Sequence, residues 1–142
     1  MKSREIQLER LFIVRLFKGE DVLQTLTNFA KEREIKSGFI VNGIGALEKA
    51  SIGFFDPKKK VYLNNELGEC EIVSLSGNIV FKDGEPFFHM HVALGNREGQ
   101  VFGGHMNKGC IIGPTGEIII ASVTPELSRA LDSITGLSLL NL

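Results

Sequence analysis

The chain has 142 residues, 43% of them hydrophobic and 23% charged, with a formal net charge of −1. That length fits one domain, residues 1–142, able to bury roughly two thirds of its unfolded surface without staples. The near-neutral balance argues against a general nucleic-acid binder, which needs a basic excess, and no apolar run approaches the ~20 residues of a membrane helix.

Met1 to Glu9 mixes charges of both signs and has no apolar core, so no secretory leader is read there and a soluble, cytoplasmic protein is expected. Leu11–Phe17, β-branched and aromatic, predicts a strand broken by Lys18-Gly19. Val22, Leu23, Leu26, Phe29 and Ala30 recur at helical spacing and predict a helix from about Asp21 to Glu34. Beyond Gly38 the pattern turns to short strands. Phe39–Val41 and Ala50–Phe55 flank Asn42-Gly43-Ile44-Gly45, which is read as a tight turn because it lacks the spacing and following helix of a phosphate loop. Val61–Leu63 ends at Asn64-Asn65, and Cys70–Phe81 is a long strand interrupted near Gly77. Asp83-Gly84 marks a hairpin leading into Phe87–Leu94, and Gln100–Met106 follows. Cys110–Ile112 and Glu117–Val123 are separated by a turn at Gly113-Pro114-Thr115-Gly116. Pro125–Ile134 reads as helical or irregular, and Leu137–Leu140 as a last strand whose apolar side chains need cover. One main helix against a mainly antiparallel sheet is an α+β domain.

Cys70 and Cys110 lie in strand-like segments with no C-x-x-C spacing and are expected to be buried free thiols, consistent with a reducing compartment. Lys58-Lys59-Lys60 reads as a solvated turn. Ser74 and Ser76 form no nucleophile elbow.

All three histidines fall in one stretch: His89, His91 and His105. Imidazole is the commonest metal-ligating side chain. Alternation puts His89 and His91 on one face of a strand, ~7 Å apart. A three-residue loop, Arg97-Glu98-Gly99, sets glycine where positive φ is needed, pairs Asn96 with Gln100, and brings His105 opposite His91. A four-residue loop, or a bulge at Gly103-Gly104, would turn His105 away. Cross-strand Cβ atoms lie ~5 Å apart, close enough for two rings to share an ion. Gly103 and Gly104 leave room beside it. Three neutral imidazoles with an open position describe a divalent metal, zinc first and iron or nickel next. No fourth ligand is assigned: Glu98 lies at the loop tip, and Asn107 is taken to point away.

The motifs also carry a family resemblance. Glu71-Ile72-Val73-Ser74-Leu75-Ser76-Gly77-Asn78-Ile79, His89-x-His91-Val92-x-Leu94 and Gly99-Gln100-Val101-Phe102-Gly103-Gly104-His105-Met106 closely resemble the plants-and-prokaryotes conserved (PPC) domain. So do Arg15-Leu16-x-x-Gly19-Glu20 and Gly43-Ile44-Gly45-Ala46-Leu47. The resemblance implies an α+β fold and a homotrimer, and its prokaryotic form implies a metal site at His89, His91 and His105. Plant members add an AT-hook with an Arg-Gly-Arg-Pro core that enters the DNA minor groove. This chain has no such core and no basic arm. The leading expectation is therefore a trimeric metal-binding domain that senses or holds a small ligand. A DNA-associated regulator and a metallohydrolase are the alternatives.

Overall fold

The computed structural model describes residues 1–142. In chain order its elements are β1 (Gln7–Phe17), α1 (Val22–Glu32), β2 (Gly38–Asp56), β3 (Val61–Leu67), β4 (Cys70–Lys82), β5 (Glu85–Gly95), β6 (Val101–Met106), β7 (Ile111–Thr124), β8 (Ser128–Leu131) and β9 (Ser138–Asn141). A seven-stranded antiparallel sheet runs β1-β7-β2-β4-β5-β6, with β3 on β2, and β8 and β9 form a separate hairpin. The class is that expected, although strand dominates and the helix is only eleven residues long. No helix is long and apolar enough to cross a membrane.

The helix forms where its apolar spacing predicts. Val22, Leu26 and Ala30 are fully buried, and Leu23 and Phe29 are partly so. Asp21 caps its start, Oδ1 accepting from the Gln24 N–H at 2.9 Å. At the other end Glu34 takes φ 55°, while the Glu34 and Ile35 N–H groups bond back to the Lys31 and Ala30 carbonyls. This satisfies the last carbonyls as a left-handed cap does, with glutamate where glycine is usual. The helix packs into a core with Leu16, Leu75, Ile79, Leu94, Ile118 and Ile120.

Several expected turns are strand interior. β2 is one 19-residue strand that passes straight through Asn42-Gly43-Ile44-Gly45. Gly43 lies where a Cβ would sit 2.9 Å from the Leu75 Cβ, and one on Gly45 would strike the Thr115 carbonyl. These glycines allow close strand approach and do not reverse the chain. β7 likewise runs through Gly113–Gly116: Leu47 faces Ile112 and Gly45 faces Gly116, so the extra residues bulge out, and Pro114 is tolerated there. β3 continues through Asn64 and Asn65, which pair with Gly53 and Ile52. β4 is unbroken at Gly77, and its irregularity lies between Ile72 and Ser74. The segment expected to be helical or irregular after Pro125 contains β8.

The length of β2 shapes the site. Its first half pairs with β4 and β7. Its far end pairs with β6, Ile52 facing Met106 and Gly53 facing His105. Strands β2, β4, β5 and β6 thus close into a ring. The C-terminal hairpin is anchored by Leu127 and Leu140 on a small second core with Val80 and Val123.

Candidate metal centre

The β5–β6 hairpin has the three-residue loop. Gly99 takes φ 76°, the Asn96 N–H donates to the Gln100 carbonyl at 2.9 Å, and His91 lies opposite His105 with no register shift. His89 shares their face. Ring centroids are 5.2 Å apart for His89–His91, 5.1 Å for His89–His105 and 5.6 Å for His91–His105. One nitrogen from each ring lies within 4.8 Å of the other two. Ligands on a tetrahedral zinc stand roughly 3.3 Å apart, given ~2.0–2.1 Å bonds, so small side-chain rotations suffice to close the set.

The electrostatics favour the neutral form at His89 and His105. Burial is the main cause that pulls His89 down to about 4, and Arg129, His105 and His91 add to it. Burial, then His91 and Arg129, also lowers His105. Neutral imidazole is the ligating form. Moreover, Nδ1 of His105 is buried without a hydrogen-bond partner, a costly state for a polar atom. Donor type, neutral state and that unsatisfied nitrogen all fit a divalent cation.

Gly104 has a different role from the one expected. A Cβ there would come within 2.6 Å of the Gly53 carbonyl, so this glycine lets β2 dock on β6. Gly103, on the side of His105, pairs with Ala93, and a Cβ there would come within 3.1 Å of the Val92 carbonyl oxygen. Gly53 stands opposite His105 and adds no side chain.

Residues distant in sequence complete the surroundings. Arg129, from β8, donates through Nη1 to the Ser138 carbonyl (2.6 Å) and through Nη2 to Asn78 Oδ1 (2.9 Å). The same Nη2 lies 2.9 Å from His89 Nδ1. The Tyr62 ring from β3 stands 5.5 Å from that of His105. Asn107 does not point away: it lies two residues from His105 and so shares its side of the strand. Its amide donates to Asn64 Oδ1 at 3.2 Å. Arg129, Tyr62, Asn107 and Ser138, with Phe87, Leu137 and Leu139, line a cavity of about 280 Å³ against His89 and His105. No local signal pointed to Arg129 or Tyr62, because strand pairing alone brings them in. A larger open cavity of about 590 Å³, among Lys18, Glu48, Glu69, Glu71 and Arg97, lies apart from the histidines.

The chain is similar to several known proteins. A metal-containing protein from Archaeoglobus fulgidus is 38% identical, with a TM-score of 0.90 and both chains covered in full. A plant- and prokaryote-conserved (PPC) protein from Pyrococcus horikoshii is 39% identical, with a TM-score of 0.90, covering 100% of this chain and 98% of that one. A presumptive DNA-binding protein from Bacteroides thetaiotaomicron is 28% identical, with a TM-score of 0.87 and 96% of each chain covered. Two Synechococcus proteins named Bifunctional protein GlmU are 34% identical over 128 and 129 residues, 89% of this chain. This chain spans about a fifth of their length, 20% and 19%. The model of the Plants and Prokaryotes Conserved (PCC) domain matches residues 3–124, so the chain belongs to that family.

Proposed function

We propose that this protein binds a divalent metal, zinc in the first instance, through His89, His91 and His105, and presents it to a small ligand. The observation that carries the reading is the convergence of three imidazoles, one nitrogen of each within 4.8 Å of the other two, in a cluster where Nδ1 of His105 has no hydrogen-bond partner. The metal-containing A. fulgidus relative adds support. A zinc ion held by His89, His91 and His105 would supply Lewis acidity to a ligand bound beside it. Around it, Asn78 and the Ser138 carbonyl orient Arg129, and Tyr62 and Phe87 add aromatic wall to the adjoining cavity. No carboxylate lines the cavity, so the metallohydrolase alternative would have to draw its base from a residue other than Asp or Glu.

Elemental analysis of tag-free protein is expected to find about one metal per chain, or full uptake after zinc addition. His91→Ala and His105→Ala are each expected to reduce affinity at least tenfold in chelator competition. Failure of the wild type to take up zinc would overturn the reading.

We also propose a homotrimer in a reducing, cytoplasmic setting. An uncovered apolar sheet face supports self-association: Leu11, Ile13, Ile44 and Val73 are all exposed on β1, β2 and β4. The DNA-associated alternative rests on relatives' names. With a net charge of −1, no mobility shift is expected even at low salt.

A further inference from the structure

We propose that the 280 Å³ cavity beside the histidines binds a small carboxylate with an apolar body, its charged end shared between the metal and Arg129. This rests on the metal reading above.

The argument begins with charge. Three neutral imidazoles leave a divalent ion uncompensated, and Arg129 adds a further positive charge. None of the residues lining the cavity is acidic. A site so charged and only partly open to water needs an anion from outside.

Arg129 is also the residue that metal loading sets free. A guanidinium only donates, so in this structure His89 Nδ1 accepts, and the neutral ring keeps its proton on Nε2. If His89 ligates through Nδ1, it loses the guanidinium. If it ligates through Nε2, its proton moves to Nδ1, which no longer accepts. In both cases Nη2 of Arg129 gives up His89 and gains a free donor facing the cavity. The Nη1 bond to the Ser138 carbonyl holds the side chain in place meanwhile.

The remaining walls describe the rest of the ligand. Tyr62, Phe87, Leu137 and Leu139 are apolar or aromatic. The cavity offers no glycine-rich nest or helix N-terminus of the kind that cradles phosphate. One freed guanidinium donor and an apolar wall suit a carboxylate on a compact hydrocarbon or aromatic body.

Cobalt(II) as the bound metal makes the test visible. Benzoate is expected to change the cobalt absorption bands saturably at millimolar concentration or below, with benzyl alcohol inert and acetate at least tenfold weaker. Arg129→Met is expected to keep stoichiometric cobalt and lose benzoate affinity at least tenfold. Leu139→Gln, on the β9 strand of the same hairpin, is expected to weaken benzoate and leave acetate unchanged, and it tests the cavity even if the arginine variant fails to fold. Bound cobalt with spectra indifferent to benzoate would overturn the carboxylate site and leave the metal reading standing. So would inorganic phosphate binding more tightly than benzoate. Absence of cobalt uptake would overturn both.

Discussion

A single glycine carries much of this site's precision. Gly104→Ala would set a methyl 2.6 Å from the Gly53 carbonyl, where β2 docks on β6 beside His105. Overpacking of this kind typically costs ~1–3 kcal/mol. A lower melting temperature and weaker zinc binding are expected together, read by thermal denaturation and chelator competition. Unchanged zinc affinity would mean that the β2–β6 contact does not hold His105. The thiols behave oppositely to reactive cysteines. Burial pushes Cys110 up to about 11, and its Sγ donates to the Ser51 carbonyl at 3.3 Å. Burial raises Cys70 as well. A thiol-disulfide reagent is therefore expected to label neither in the native protein and both in denaturant; rapid native labelling of either would contradict the closed core. The histidine cluster was readable residue by residue, because strand alternation and the position of Gly99 set the direction of each ring. Arg129 was not readable, since nothing in its own neighbourhood marks it.

The elements show where local rules held and where packing overrode them. The helix was legible because Val22, Leu26 and Ala30 follow its period and Asp21 supplies a cap. That aspartate does two jobs: Oδ1 accepts from Gln24 N–H, and Oδ2 accepts from Gly109 N–H at 2.7 Å. Asp21→Ala is expected to cost about 1–2 kcal/mol in urea denaturation, the usual range for a lost cap. Zinc binding should be untouched, since Asp21 contacts none of the three rings. By contrast, β2 and β7 were read as short strands around turns. Their glycines and Pro114 look like chain reversals locally, yet they serve close approach and a bulge between long neighbours. β8 was missed because a four-residue strand gains its stability from pairing with β9 and packing on Asn78 and His89, not from its own propensity.

For the whole molecule, the exposed apolar row on the sheet is the feature that a single chain leaves unexplained. Ile13 lies opposite Ile119, and Arg15, Glu117 and Ile44 align in the next row. Ile13 is 77% exposed. If this face makes the trimer, Ile13→Arg is expected to reduce the mass in sedimentation equilibrium from three chains to one, with the native circular dichroism retained. A trimer that survives the change would place the interface elsewhere.

The order of residues was enough for the family, the α+β class, the helix and the convergence of His89, His91 and His105, because each depends on period, turn length or motif within a few neighbouring residues. Three-dimensional packing alone settled the continuity of β2 and β7, the closure of β2 onto β6, and the arrival of Arg129 and Tyr62 beside the rings. Those depend on pairings between segments tens of residues apart, where the free energy comes from burial and hydrogen bonding across strands and leaves no periodic trace in either segment.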